Sequence, residues 1–328
     1  MSKIKKLNNF SKTYIIAEIG FNHLGSFNLA KKMTLSAIKS GADAVKFQTF
    51  DPTELVDKKS PHFKLIKNCD LKIDEYFKIK TICRNHKIDF LTTPFDKKSI
   101  KISKKIGFDA IKIASMDLNN FQILNEVKKL NKPIILSTGM SSIEEIKKSF
   151  NFLKNSNVFL LHCISKYPTK TEEVGLNFLN NLKIISKWKI GFSDHTTNNL
   201  AGIMSIVLGA KIIEKHFTLN NDLPGADNKL SLNPANMKKF IQEIRTAEKA
   251  LENKLPRADD EVKEKFRRYF FARTFIKKGE KINESNVILK RILKYNRNQL
   301  DAGNYLDYLN KKINRDLKVN DIILKSYF

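Results

Sequence analysis

Cysteine is scarce in this sequence. The 328 residues include three cysteines, Cys69, Cys83 and Cys163. Thiols so few and so widely spaced exclude a disulfide framework and a cysteine-ligated metal site. Their scarcity favours a reducing compartment.

Long apolar runs are also absent. No segment approaches the roughly 20 apolar residues that a membrane-spanning helix needs. The basic start MSKIKKLNNF runs into SKTY, whereas a signal peptide requires an apolar segment there. We therefore expect a soluble, cytoplasmic protein.

Acidic side chains are few relative to basic ones. The chain has 34 Asp and Glu against 60 Lys and Arg, a formal charge of +26. Such a charge suits nucleic acid, an acidic membrane or an anionic substrate. The lysines, however, are spread among many Asn, Ile and Phe, as in proteins from genomes rich in A and T, and no RNA-binding signature, zinc-finger spacing or heptad accompanies them. We expect no nucleic-acid or membrane partner.

What the sequence does contain is a repeated alternation of short β-rich apolar segments and amphipathic helical segments. Eight strands are predicted, at residues 14–19, 44–48, 89–93, 110–114, 133–137, 158–163, 189–193 and 211–216. Eight such units in about 250 residues favour an α/β fold, the (β/α)8 TIM barrel. The alternative, a doubly wound open sheet, would need a glycine-rich loop after the first strand, and that loop is missing.

The character of the chain changes near residue 251. We predict a barrel domain at 1–252, a charged linker at 253–265 that contains Pro256, and a small, mostly β domain at 266–328. In the last segment YFFARTFIKKGEKINESNVILKRI reads as strand, turn at Lys278-Gly279, and strand. A domain this small needs help from the barrel or from a second subunit to bury its core.

Reactive side chains concentrate at the C-terminal ends of the predicted strands, where barrel enzymes place their chemistry. They are Glu18, Lys46, Gln48, Thr93, Lys112, Ser115, Ser137, His162, Ser165, Tyr167, Ser193, Asp194, His195, Glu214, Lys215 and His216. Any one of them could be a paired structural residue. Together they are hard to explain by packing, because each buried polar group costs free energy unless it has a partner.

Two histidines end adjacent strands. His195 and His216 could converge on one divalent cation with open coordination positions, which would polarise a substrate oxygen. His23 is either a third ligand or a hydrogen-bonded loop residue. Lys46 and Lys112 could neutralise a phosphate and a carboxylate, although a Schiff-base lysine remains an alternative.

The ordered motifs IIAEIGFNHLGS, GADAVKFQTF, FLTTPFD, IKIAS, PIILSTGMSS, LLHCISKYPT, GFSDHT and GAKIIEKHFTL resemble those of the N-acetylneuraminate (sialic acid) synthase family, over nearly the whole chain. The tail resembles the antifreeze-like (SAF, β-clip) domain of these synthases. The resemblance implies a (β/α)8 barrel joined to that domain in a domain-swapped homodimer. It also implies a transferase that condenses phosphoenolpyruvate with N-acetylmannosamine or a related amino-sugar aldehyde and releases phosphate.

The resemblance implies roles for individual residues. His195 and His216 match the ligands of Mn²⁺ or Mg²⁺. Positions that hold phosphoenolpyruvate match Lys46, Thr93, Lys112, Ser115, Ser137, Ser165 and Ser193. Positions around the sugar match Glu18, Gln48, Tyr167, Asp227 and Arg291, with Arg291 reaching the neighbouring subunit. The catalytic set is Glu18, Lys46, Lys112, His195 and His216, and Glu18 either transfers a proton or forms a salt bridge with a lysine.

Some positions depart from the family pattern. The family's GPDHKASL reads GADNKLS here, its KRPG reads KRIL, and Ser165 stands where some members have asparagine. The departures lie mainly on the sugar side, so legionaminic or pseudaminic acid synthesis from a 2,4-diacetamido hexose is an alternative. The AEIG opening is closer to the neuraminic and legionaminic branches. A more distant alternative is a non-enzymatic glycan-binding protein.

Overall fold

The computed structural model describes residues 2–4, 12–60, 63–187, 189–225, 227–252, 262–263, 266–292 and 298–328. The chain divides into two compact units, residues 1–252 and 253–328. Apart from residues 262 and 263, the predicted linker at 253–265 lies outside the described residues.

The first unit is a closed barrel of eight parallel strands paired in chain order. The strands are β1 Tyr14–Gly20, β2 Ala44–Thr49, β3 Asp89–Pro94, β4 Ala110–Ile113, β5 Ile134–Ser137, β6 Val158–Cys163, β7 Ile190–Asp194 and β8 Ile212–His216. The predicted barrel is confirmed, and each predicted strand overlaps an observed one. Closure places all eight C-terminal strand ends around one mouth.

Helices surround the barrel. They are α1 Phe27–Ser40, α2 Pro52–Leu55, α3 Phe63–Lys67, α4 Ile73–Asn85, α5 Lys97–Ile106, α6 Phe121–Lys128, α7 Ile143–Phe152, α8 Phe178–Ser186, α9 Leu200–Val207 and α10 Pro234–Ala250. The first one shows how local sequence sets these bounds: the Ser26 side chain accepts from the N–H of Leu29, and Gly41 ends the helix at φ +95°, a value that favours glycine.

Two apolar layers hold the barrel together. The larger one lies between the strands and the helices and includes Phe47, Phe90 and Phe240. A smaller cluster, which includes Ile4, Leu91 and Phe159, contains residues that alternate along the strands with those of the larger cluster. Because successive side chains of a strand point to opposite faces, the smaller cluster fills the barrel interior below the mouth.

The second unit has its own apolar core, which includes Phe270, Ile282 and Leu317. It contains an antiparallel pair of strands, β9 Tyr269–Ala272 and β10 Val287–Lys290, and the short helix α11 Tyr305–Tyr308. The predicted turn at Lys278-Gly279 lies between the two strands, with Gly279 at φ +85°.

No helix in the described part of the chain combines the length and the apolar character needed to cross a membrane.

Candidate active site

A cavity of about 490 Å³ opens at the C-terminal mouth of the barrel. The residues of the first unit to which the family resemblance assigned roles all line it: Glu18, Lys46, Gln48, Thr93, Lys112, Ser115, Ser137, Ser165, Tyr167, Ser193, His195, His216 and Asp227. The structure therefore brings together side chains that are more than 200 positions apart in the sequence.

Buried charges form a network on one side of this cavity. The Lys46 ammonium lies 2.6 Å from Glu18 Oε2 and 3.6 Å from Glu214 Oε2, and it donates to Thr93 Oγ1 at 2.7 Å. Lys112 Nζ lies 3.8 Å from Glu214 Oε1. Two carboxylates and two ammonium groups thus face each other with side chains at most 6% exposed.

The two carboxylates differ in proton affinity. Burial, with help from Glu214, raises the pKa of Glu18 although Lys46 opposes the change. Burial would also raise the pKa of Glu214, but Lys112 and Lys46 outweigh it and hold that pKa below its ordinary value. Glu18 is therefore suited to carry a proton, whereas Glu214 is suited to remain a fixed negative charge.

The histidine pair lies beside this network. The His195 and His216 ring centroids are 5.5 Å apart. His195 Nδ1 lies 2.7 Å from the carbonyl oxygen of Ile164, so this nitrogen carries the hydrogen and Nε2 keeps its lone pair. Burial lowers the pKa of His195 to about 4 and that of His216 to about 3. Both rings are therefore neutral near pH 7, the form that binds a metal.

A carboxylate lies near the second histidine. His216 Nδ1 is buried without a hydrogen-bond partner among the described residues and lies 3.7 Å from Asp227 Oδ2. In the same part of the chain, no group of three or more His, Cys, Asp and Glu side chains forms a metal site. Two neutral imidazoles with a carboxylate nearby fit a cation that keeps several positions open for water or substrate.

Serine hydroxyls line another part of the cavity. Ser137 Oγ is buried without a hydrogen-bond partner in the described structure, and Ser115 Oγ accepts from the N–H of Gly139 at 3.1 Å. A Cβ at Gly139 would come within 2.5 Å of Ser165 Oγ and 2.8 Å of Ser115 Oγ. Glycine at this position thus lets the two hydroxyls approach the backbone, where they could bind an anion.

Two of the residues predicted to bind the sugar, Tyr167 and Gln48, contact other residues of the cavity. Tyr167 is 53% exposed and stacks on His195 with ring centroids 4.1 Å apart, while Gln48 donates to Glu18 Oε1 at 3.3 Å. Apolar side chains also line the cavity: Phe21, Leu55, Val56, Ile66, Phe95, Met116 and Met140. The lining of the cavity therefore combines buried charged side chains with apolar ones.

Several reactive strand-end residues do not line the cavity. His162 Nε2 lies 2.6 Å from the carbonyl of Val174, and Lys215 pairs with Asp194 outside the barrel interior. His23 is fully buried in its loop, where Nδ1 accepts from the N–H of Gly25 at 3.2 Å. This favours the loop role for His23 over that of a third metal ligand.

Sequence reasoning did not assign a role to the apolar residues of the cavity, nor to two of its ionisable residues, Cys163 and Glu214. Glu214 bridges both lysines and accepts from Ser193 Oγ at 2.9 Å, and the Cys163 thiol lies 4.0 Å from His195 Nδ1. A signal was available for Glu214, because it is two residues from His216 and must share its face of β8.

The residues that depart from the family pattern lie in different parts of the structure. Asn228 is buried and accepts from Thr218 Oγ1 at 2.5 Å, so it pins its loop and does not line the cavity. Arg291 lies in the second unit, with its guanidinium 5.3 Å from the centroid of the Phe266 ring. Ala226 and Leu293 lie outside the described residues.

A second, more open cavity of about 600 Å³ lies on the outside of the first unit. It is lined by Thr171, Glu172, Val174, Gly175, Leu176, Asn177, Ala201, Met204, Val207 and Leu208. With one ionisable side chain and no ion pair or histidine among those residues, it lacks the groups that catalysis needs.

The chain is similar to known proteins. The sequence profile of the NeuB family matches residues 33–255. The chain is 36% identical to N,N'-diacetyllegionaminic acid synthase of Campylobacter jejuni, over 95% of this chain and 99% of that protein. It is 33% identical to pseudaminic acid synthase of the same species, over 99% of each chain.

A solved structure is similar as well. It is the N-acetylneuraminic acid synthetase of Leptospira borgpetersenii in complex with citrate, with a TM-score of 0.72 and 33% identity. The match covers 77% of this chain and 90% of that one.

Proposed function

The chain belongs to the NeuB family of sialic-acid-type synthases, and on that premise we propose that it condenses phosphoenolpyruvate with an amino-sugar aldehyde to form a nonulosonic acid and phosphate. The single observation that carries the proposal is one cavity lined by Lys46 and Lys112, by two histidines and by several hydroxyl groups. Phosphoenolpyruvate presents a phosphate and a carboxylate, which match two ammonium groups and several O–H donors.

The anionic substrate would exchange partners inside this network. In the structure Lys46 is neutralised by Glu18 and Glu214, and Ser137 Oγ has no partner among the described residues. We propose that the phosphate and carboxylate bind Lys46, Lys112, Thr93, Ser115, Ser137, Ser165 and Ser193. A buried hydroxyl without a partner is costly unless a ligand supplies one.

Bond formation needs no Schiff base, because phosphoenolpyruvate is already an enol equivalent. Its C3 attacks the aldehyde carbon, and the aldehyde oxygen takes a proton. Water then adds to C2, and the tetrahedral adduct loses phosphate when its C2–O bond breaks. Glu18 is our candidate for holding or moving a proton, since burial raises its pKa and it lies beside Lys46.

We propose that His195 and His216 hold a divalent cation, Mn²⁺ or Mg²⁺. When bound, the cation would supply Lewis-acid polarisation of the aldehyde oxygen. Imidazole nitrogens suit Mn²⁺ better than Mg²⁺, which prefers oxygen ligands and an ideal octahedron. His195 is oriented by the carbonyl of Ile164, the usual way in which a protein fixes a ligating imidazole.

The acceptor sugar is proposed to bind at the rim, near Gln48, Tyr167 and Asp227. N-acetylmannosamine is the first candidate. A 2,4-diacetamido hexose is the alternative, and the apolar side chains that line the cavity, such as Val56, Phe95 and Met116, support it because a second acyl group adds apolar surface. The related synthases named above differ in product, so both acceptors need testing.

We also propose that the second unit is an antifreeze-like (SAF) domain, which its separate core and antiparallel strand pair support. Two copies would then form a domain-swapped homodimer in which Arg291 serves the neighbouring subunit's sugar site. Substitution Arg291→Ala should raise the KM for the sugar more than the KM for phosphoenolpyruvate, and sedimentation should show a dimer.

Phosphate release tests the proposed function. The purified protein would be incubated with phosphoenolpyruvate and Mn²⁺, together with N-acetylmannosamine, a 2,4-diacetamido hexose or no sugar. Release that depends on both the sugar and the metal is expected, and the faster acceptor identifies the substrate class. Lys129→Ala is the control and should release phosphate at the wild-type rate, because its exposed ion pair with Glu126 does not line the cavity.

Absence of release with any sugar, from folded protein loaded with metal, would overturn the proposed reaction. Release at the same rate without sugar would indicate hydrolysis of phosphoenolpyruvate and would also contradict it.

A further inference from the structure

A buried ion pair lies on the outer face of the barrel between the two histidine-bearing strands. Asp194 of β7 and Lys215 of β8 are paired in the strand register. Their Oδ2 and Nζ atoms are 2.8 Å apart, and their side chains are 0% and 1% exposed. Each is the immediate neighbour of a histidine that lines the cavity, since His195 follows Asp194 and His216 follows Lys215.

This pair also fixes the loop after β7. The Lys215 ammonium donates to the carbonyl oxygens of Thr196 and Asn198 at 2.5 and 3.1 Å. Asp194 Oδ1 accepts from the N–H of Thr196 at 2.9 Å. The Lys215 side chain of β8 is thus bonded to the backbone that follows His195 in the chain. These bonds constrain the position of the His195 imidazole relative to His216.

Helices α9 and α10 enclose the pair. The Lys215 ammonium lies 5.9 Å from the centroid of the Phe240 ring. A Cβ at Gly202 would come within 2.6 Å of that ring and 3.5 Å of Asp194 Oδ2. Only glycine allows such close packing, and the packing buries both charged side chains.

Stability alone does not explain such a pair. Desolvation of two charges often cancels their attraction, and apolar residues of similar volume are often equally stabilising in that position. An ion pair whose bonds converge on the backbone beside a metal ligand has a more specific use, because groups that orient metal ligands affect metal affinity strongly.

We propose that Asp194 and Lys215 are positioning residues that hold His195 and His216 at the spacing a divalent cation requires. The inference rests on the proposed function, because it needs the two histidines to be metal ligands. It concerns residues that touch neither substrate nor metal and act through the strands and the loop.

Metal affinity tests it independently of catalysis. Mn²⁺ binding would be measured by calorimetry on the full-length wild-type protein and on Lys215→Met, Asp194→Asn and His195→Ala. Loss of an orienting partner typically weakens metal binding about 10–100-fold, so we expect a loss of that size for Lys215→Met and for Asp194→Asn. Lys215→Arg, which keeps the charge, should recover part of the affinity.

A control is the ion pair of Arg245 with Asp43, with Nη2 and Oδ2 3.0 Å apart and side chains 25% and 18% exposed, which lies in the same unit at the opposite ends of the strands. Arg245→Met should lower the melting temperature and leave Mn²⁺ affinity within about twofold of the wild type. If Lys215→Met does not fold, the Mn²⁺ affinities of Asp194→Asn and Lys215→Arg still test the proposal.

The outcomes separate the two proposals. If the wild type binds Mn²⁺ through His195 and the ion-pair variants bind it equally well, the positioning role is wrong and the proposed function stands. If His195→Ala binds Mn²⁺ as tightly as the wild type, the metal site itself is wrong, and the positioning role falls with it.

Discussion

The buried Asp89 carboxylate, at the N-terminal end of the barrel, has protein partners for both oxygens, whereas several buried polar groups at the C-terminal end have no hydrogen-bond partner among the described residues. At the N-terminal end Asp89 accepts from the backbone N–H of Lys3 and Ile4 and from the Tyr14 hydroxyl. At the C-terminal end Ser137 Oγ and His216 Nδ1 have no hydrogen-bond partner among the described residues.

We interpret the fully bonded carboxylate as a residue that stabilises the fold, and we propose that the groups without partners bind a ligand. A satisfied buried network contributes to stability, whereas unsatisfied groups cost free energy that a ligand can recover. In barrel enzymes the first kind belongs at the bottom face and the second at the top. Substitutions at the two ends should therefore affect different properties.

The largest effect is expected for His195→Ala and His216→Ala. Metal polarisation of a carbonyl is worth several kcal/mol, so each variant should lose roughly 10³-fold or more in kcat/KM. Steady-state phosphate release measures this, with circular dichroism as the check on folding. A variant that keeps a tenth of the wild-type rate would contradict the metal role.

The next largest effect is on stability at the cavity. Lys46→Met would leave Glu18 and Glu214 buried together without their shared cation, which lies 2.6 and 3.6 Å from them. Breaking a buried pair from one side typically costs about 3–5 kcal/mol. Urea denaturation at pH 8 measures the loss, and adding Glu18→Gln should recover part of it because one of the two carboxylates is then neutral. Lack of any recovery would mean that Glu18 carries no charge next to Lys46.

The pH dependence of metal-free protein should sharpen the comparison further. The folded-state pKa of His195 is lowered to about 4 and that of His216 to about 3, against 6.5 for a free imidazole. Below pH 6.5 the two imidazoles take up protons in the unfolded chain, while they stay neutral in the folded one. Their contribution to the free energy of unfolding is therefore fully present above pH 6.5 and is lost as the pH falls towards 4. The loss amounts to roughly 3 kcal/mol per histidine.

Denaturation in a chelator at a series of pH values measures this slope. The His195→Ala variant should show a shallower fall of unfolding free energy between pH 6.5 and 4 than the wild type. Equal slopes in the two proteins would mean that the folded state protonates His195 near its ordinary pKa.

The smallest effect on activity is expected at the opposite end of the barrel. Asp89→Asn disturbs an acceptor of three hydrogen bonds and should cost about 1–3 kcal/mol of stability. Its kcat/KM should stay within about twofold of the wild type at a temperature where both are folded. A large loss of activity without loss of stability would break the division between the two ends.

The sequence predicted the barrel because alternating strand and helix patterns have few other solutions. It also predicted most of the cavity, since strand-end residues must meet at the mouth. The sequence-based prediction wrongly placed Lys215 in the same cluster as Glu214 and His216. Side chains of a strand alternate between its two faces, but the sequence alone does not show which of the two faces is the inner one. The acceptor sugar stayed open, since sugar recognition depends on rim side chains that no strand-end rule selects.

We propose that one carbon–carbon bond forms between phosphoenolpyruvate and the sugar. The most direct measurement is mass spectrometry of the products of a reaction with phosphoenolpyruvate labelled with ¹³C at C3, run with each acceptor. We predict a nonulosonic acid that carries the label, formed in equal amount to phosphate. Labelled pyruvate with phosphate, and no labelled sugar acid with any acceptor, would contradict the account.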